Sequence, residues 1–176
     1  MMFRLNLTVL LLACVALSPA GASSAQPHGV GAILARFKPA LADKSEDPEA
    51  RRARLALVAE AVDLATPHRW ERMLLVSVAW HESRYASAVQ DCTIKGDNGR
   101  AVGLWQSWNM KCSDSLQAWA DEAIRHLRSA WRYCRAKTLP QKVEMGVSLY
   151  ATGRTCHHPV AKPRLQLWRR LMRGAL

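Results

Sequence analysis

The chain has 176 residues, with 25 Lys and Arg against 14 Asp and Glu, a formal charge of +11 at pH 7. A chain of this length suits one core and leaves no room for a second domain. The positive balance directs it toward polyanions, and beyond the N-terminal leader no segment approaches the roughly 20 apolar residues of a membrane span.

Residues 1–25 read as a secretory signal peptide. Arg4 supplies the positive start, Leu5 to Leu17 is apolar apart from Asn6 and Thr8, and Ser23-Ser24-Ala25 offers small residues for cleavage. Leu11-Leu12-Ala13-Cys14 resembles a lipoprotein cleavage site, but the apolar run continues past Cys14, so a cut near Ala25 is preferred. The expected product is exported, periplasmic or secreted, and about 151 residues long, 176 less 25. Arg4 is the leader's only charged side chain, so 24 basic and 14 acidic groups remain, a formal +10.

Residues 26–46 are expected to be a flexible segment and 47–176 the folded domain. Asp47-Pro48 marks a helix start, with Leu55, Val58, Ala59 and Val62 recurring on one side. Thr66-Pro67 begins a second helix carrying Trp70, Leu74, Val78 and Glu82. The polar stretch Asp91 to Gly99 ends it, and Asp97-Asn98-Gly99 is a turn signal, the expected tip of a short hairpin. Ser113 is the expected cap of a helix whose Leu116, Trp119, Ala120, Ala123, Ile124, Leu127 and Trp131 recur at three and four. Leu139-Pro140 opens another, which runs to Tyr150 and stops near Gly153. At the end, Lys162, Arg164, Arg169, Arg170 and Arg173 interleave with Leu165, Leu167, Trp168 and Leu171. A helix docked by its apolar side, with a solvated basic side, is preferred there over a membrane-binding one.

Past the leader the cysteines are Cys92, Cys112, Cys134 and Cys156, an even number in an exported chain, which predicts two disulfides. Three connectivities are open. Cys92 with Cys112 and Cys134 with Cys156 is favoured, because the first closes the polar loop after Glu82 and the second ties two helices. A zinc site from Cys134, Cys156, His157 and His158 is the rival, but the paired cysteine spacing of zinc modules is missing. No metal or other cofactor is expected.

Glu82 carries the strongest chemical signal. It shares a helical face with Leu74, Leu75 and Val78, so its carboxyl is expected among core-facing side chains. Desolvation there disfavours the charged form of a carboxyl, the condition a general acid needs. Glu82-Ser83, the segment Gly96 to Gln106 ending in Gly103-Leu104-Trp105-Gln106, and Tyr150-Ala151-Thr152-Gly153 occur in the order seen in soluble lytic transglycosylases. Over about residues 67 to 154 the chain resembles that family of the lysozyme-like superfamily, and Gly96 to Gln106 is also similar to goose-type lysozymes. Ala151 departs from the family pattern, which has Asn there.

The resemblance implies a mainly α, lysozyme-like helical domain with a short loop or hairpin after the catalytic helix. It implies cleavage of the β-1,4 bond between N-acetylmuramic acid and N-acetylglucosamine in peptidoglycan. Glu82 would protonate the departing oxygen and then, as base, help the muramyl 6-hydroxyl close a 1,6-anhydro ring. Because the substrate's acetamido group can assist, a second carboxylate is dispensable. A hydrolytic lysozyme would want one, and Asp97 is the better candidate, Asp91 the weaker; the alternative for Asp97 is a turn residue.

Ser83 is expected either at substrate or as a helix cap, and Gln106 either as donor to a sugar acetamide or as an amide pinning its loop. Tyr150 is expected beside Glu82, and Trp105 and Trp108 in the sugar groove. Trp70, Trp119 and Trp131 sit in helical stripes and are expected in the core. His81 reads as a partly exposed neighbour rather than a second catalyst. The expected partner is the glycan strand, with no physiological nucleic acid and no stable membrane span. Two other classes remain: a wall-binding protein without catalysis, favoured by Ala151, and a cationic antibacterial protein acting through the terminal helix.

Overall fold

A computed structural model describes residues 29–174. The leader expected over 1–25 lies outside the described residues. Within them the chain is mainly helical, in seven α-helices and no strand.

Helix α1 spans Val30–Leu34, and a single 3-10 turn follows at Leu41–Asp43. This corrects the expectation of a flexible segment through residue 46. Val30, Leu34 and Phe37 are buried, and Phe37 stacks on Trp80 at 4.5 Å between ring centres. Asp43 then accepts from the Ser87 N–H and hydroxyl at 2.9 and 2.8 Å, and from Arg54. Three apolar residues and one acid therefore tie down a stretch too short to announce itself by periodicity.

Helix α2, Pro48–Ala65, begins as expected: the Asp47 carboxylate accepts from the N–H groups of Glu49 and Ala50, and Pro48 occupies the first turn. Helix α3, Arg69–Ser83, starts behind Thr66, whose hydroxyl donates to the buried Glu71 carboxylate rather than capping the helix directly. The same carboxylate takes Arg128 Nε at 3.1 Å and Nη2 at 2.6 Å, joining α3 to α5. Past α3 a short helix α4 covers Ser87–Gln90.

The turn expected at Asp97-Asn98-Gly99 forms as a 3-10 turn, in a loop whose hairpin character is limited to isolated bridges pairing Gly96 with Ala101 and Val102 with Ser107. Helix α5, Leu116–Tyr133, is capped by Ser115 and not by Ser113; Ser115 Oγ accepts from the Ala118 N–H at 3.1 Å. Helix α6, Leu139–Thr152, opens on a reciprocal capping box between Thr138 and Gln141 and closes at Gly153 with φ +65°. Helix α7, Ala161–Met172, docks by Leu167 and Leu171 and leaves Lys162, Arg169 and Arg170 exposed.

Packing of α5 on α2 and α6, and of α3 on α7, encloses one core. Cys92 pairs with Cys112 and Cys134 with Cys156, at Cα–Cα distances of 5.9 and 5.7 Å, which is the favoured connectivity. The first closes the loop after α3, and the second joins the end of α5 to the chain between α6 and α7. Each is expected to stabilise by about 2–4 kcal/mol. The pairing removes the zinc alternative, and His157 instead approaches Glu144. Among the described residues no helix is long and apolar enough to cross a membrane.

Candidate active site

The C-terminal end of α3, the loop after α4, the middle of α5 and the end of α6 converge on one cleft of about 660 Å³. Glu82, Asp97, Gln106, Trp108, Glu122, His126 and Tyr150 line it, together with the chain from Ala151 to Thr155. Residues far apart in sequence thus meet at one opening.

Glu82 lies one turn beyond Val78 on the buried face of α3, and its side chain is 19% exposed. It stands where the core meets the cleft. Its carboxyl, expected among core-facing side chains, is also held by an unforeseen partner, Arg164, whose Nη2 donates to Glu82 Oε1 at 2.6 Å. Arg164 belongs to α7 and was expected on that helix's solvated side. It is instead buried, with Nη1 donating to the Val160 carbonyl at 2.9 Å and its own carbonyl accepting from buried Ser77 at 2.7 Å. The Oε2 atom of Glu82 takes no hydrogen bond from the described residues.

His81 is half-buried and does not line the cleft. Burial, then the positive charges of Arg164 and Arg84, depress its pKa from 6.5 to about 4, against a smaller opposing contact with the Pro163 backbone. An unfolded chain therefore binds a proton at this residue between pH 6.5 and about 4 while the folded chain does not, so folding stability falls on acidification through that window. We expect His81→Gln to remove a measurable part of the decrease in Tm between pH 6.5 and 4.5, read by circular dichroism melts of both chains.

Two expected substrate residues do not reach the cleft. Ser83 is buried: its hydroxyl donates to the Ala79 carbonyl at 2.8 Å and accepts from the Tyr85 N–H at 3.2 Å, so it finishes α3. Trp105 is fully buried, with Nε1 donating to the Leu75 carbonyl at 3.0 Å. Burial of its large apolar ring outweighs any gain from placing it at the surface.

Trp108 does line the cleft: it is 59% exposed, carries Arg100 over its ring at 4.8 Å and donates to Asp97 Oδ2 at 2.6 Å. Asp97 has φ +47°, as a turn residue does, and also lines the cleft. Gln106 lines it too, but its Nε2 donates to the Gly103 carbonyl at 2.9 Å, and the amide pins its own loop. Of the glycines here Gly103 is the constrained one, by its positive φ and the Trp119 ring, whereas a side chain on Gly96 would displace the Gln106 amide. A Cβ on Gly96 would lie 2.0 Å from Gln106 Oε1, and one on Gly103, at φ +71°, 2.6 Å from the Trp119 ring.

Tyr150 donates its hydroxyl to the Trp105 carbonyl at 2.6 Å and not to Glu82. Burial pushes its phenol well up, opposed by Ser107 and reinforced by the nearby charges of Glu82 and Glu122, so it stays a proton donor at neutral pH. No family model, curated protein or solved structure matches this chain. The site must therefore be read from its own chemistry.

Glu122 and His126 were missed in sequence. Glu122 is buried on α5, paired with Arg125, and His126 stacks obliquely on Tyr150 with ring centres 4.9 Å apart. Burial lowers the His126 pKa, and Glu122 partly restores it. Their spacing of four on a helix whose other side is apolar was the available signal. The wall thus offers one carboxyl held by a guanidinium, a second carboxyl beside an imidazole, and a phenol. Among the described residues no group of three or more His, Cys, Asp or Glu could hold a metal.

Proposed function

We propose that this protein cleaves the β-1,4 bond between N-acetylmuramic acid and N-acetylglucosamine in peptidoglycan, as a lytic transglycosylase of lysozyme-like fold. The observation that carries the reading is that Glu82, Gln106 and Tyr150, landmarks of three separate segments, line one cleft. Exported, disulfide-bonded and basic, such a chain would meet the wall polymer outside the cytoplasm.

In this reading catalysis uses a proton taken up on Oε2 of Glu82, because Oε1 is held in the ion pair with Arg164. That proton passes to the glycosidic oxygen as the bond to C1 breaks, and the muramyl acetamido oxygen supports the developing positive charge at C1. Arg164 stabilises the carboxylate left behind. That carboxylate then takes the proton of the 6-hydroxyl as its oxygen closes on C1, so no water is consumed and Glu82 is restored. Trp108 supplies an exposed indole for a sugar ring to stack on.

The test is mass spectrometry of muropeptides released from purified peptidoglycan by the mature, oxidised protein. Anhydro-muramyl ends are the expected result, and products one water heavier would identify a hydrolytic lysozyme. Release of nothing from several wall types would leave a wall-binding protein without catalysis. The lysozyme reading is favoured by one observation, the presence of Asp97 on the same cleft. We expect Asp97→Ala to retain activity within about tenfold of the parent in a transglycosylase, whereas loss of a needed base would cost about 10²–10⁴ in rate. Turbidity clearing of wall suspensions separates these outcomes.

A further inference from the structure

The far end of α5 bears a second concavity. An open groove of about 470 Å³ is lined by Arg128, Trp131, Arg132, Arg135, Ala136 and Lys142. Four of these six are cations and none is acidic. By the helical period, Arg128, Trp131 and Arg132 lie on the side of α5 turned away from Glu122 and His126, so groove and cleft share a helix but not a face.

The cations are held in different ways. Arg128 is braced from behind by buried Glu71 through Nε and Nη2, leaving Nη1 without an acceptor among the described residues. Arg132 makes a single hydrogen bond, to Ser129 Oγ at 3.2 Å. Arg135 and Lys142 make no side-chain hydrogen bond or ion pair to the described residues.

Arg135 also stands where a glycine is usual. Helix α5 ends in a paired turn, with the Ala136 N–H donating to the Trp131 carbonyl at 2.9 Å and the Arg135 N–H to the Arg132 carbonyl at 3.1 Å. The residue between them needs positive φ, and Arg135 has +54°. A long side chain is thus kept at a position that penalises it, and that side chain borders the groove. The Cys134–Cys156 bridge adjoins the turn and holds it in place.

We propose that this groove binds the phosphate groups of a linear polyol-phosphate polymer, independently of the cleft. A guanidinium fork matches the two non-bridging oxygens of a phosphodiester, and a polymer with one such group in every repeat offers successive charges to the four cations along the groove, three of which are arginines. The groove is too open to enclose a small ligand and suits a chain passing along it. Trp131 lines the groove but is only 8% exposed, so little of its ring is open to a base and it makes a poor stacking platform for single-stranded nucleic acid.

The experiment is fluorescence anisotropy with labelled poly(glycerol phosphate). The parent is compared with Arg132→Ser/Arg135→Gly/Lys142→Ser and with an equal-charge control, Lys162→Ser/Arg169→Ser/Arg170→Ser, on the exposed side of α7. The groove variant is expected to lose about tenfold or more in affinity and the control less than about threefold. Melting curves check the fold. Arg135→Gly alone relieves the backbone and should keep or raise Tm, so it reads the groove even if the triple variant fails to fold. Equal losses in both triple variants would reduce the effect to diffuse charge and overturn the site. Equal binding of polyglutamate would overturn phosphate selectivity, and tighter binding of single-stranded DNA of matched charge would overturn the polyol-phosphate assignment.

Discussion

Glu82→Gln is expected to lower the rate of muropeptide release by about 10²–10⁴, the contribution of a positioned general acid. The amide keeps the shape of the side chain and can still accept from Arg164 through its oxygen, but it has no proton to deliver and cannot act as base. The structure adds a cost that the sequence did not foretell. Arg164 is buried, and its ion pair with Glu82 joins α7 to α3, so the variant leaves a buried guanidinium without its counter-charge. Because the Glu82 side chain remains partly exposed, a loss of about 1–3 kcal/mol is expected, visible as a lower Tm. Glu82→Gln/Arg164→Met separates the two effects: it should recover most of the lost Tm and remain inactive. Return of activity in the double variant, or full activity in the single one, would remove Glu82 from the chemistry.

The second large effect is on stability. Trp105→Ala is expected to cost about 3–5 kcal/mol, since it empties a fully buried indole site. It also strands the Leu75 carbonyl that Trp105 Nε1 engages. For a chain of this size the drop in Tm is about 10 °C or more. Trp108→Ala should change Tm little, because its ring is already largely in water, and should instead weaken capture of glycan strands in a pelleting assay. A Trp105→Ala protein that melts like the parent yet releases no muropeptide would return Trp105 to the groove.

These two tryptophans mark the boundary of what local sequence conveys. Both follow Gly103 within a loop of no regular period, so no amphipathic pattern distinguishes the inward ring from the outward one. The same loop concealed the role of Gln106, whose amide closes on Gly103 because the chain doubles back there through residues at positive φ. The Phe37 segment escaped for a related reason. Its apolar residues are few, and their burial depends on Trp80 from α3 arriving above them.

Where the controlling interactions are local, the sequence by itself determined the outcome. Asp47 caps α2, Pro48 and Pro140 open helices, Gly153 closes α6, and Leu74, Val78 and Glu82 share a face because side chains one turn apart must. For the cysteines the sequence left three connectivities open, and the fold selects the favoured one, Cys92 with Cys112 and Cys134 with Cys156. Only the tertiary structure decided the partners of Glu82. Arg164 is 82 positions away, on a helix whose alternating Arg and Leu residues read as a solvated basic face. It turns inward because docking of α7 on α3, pinned by Ser77 and by Trp168 donating to the Trp70 carbonyl, leaves the partly buried Glu82 carboxylate within reach. Glu122 and His126 join the cleft by the same logic, since the crossing of α5 over α6 sets which of its polar residues border Tyr150. Such choices depend on how whole helices pack, and helix packing is a property of the assembled core rather than of any window of the chain.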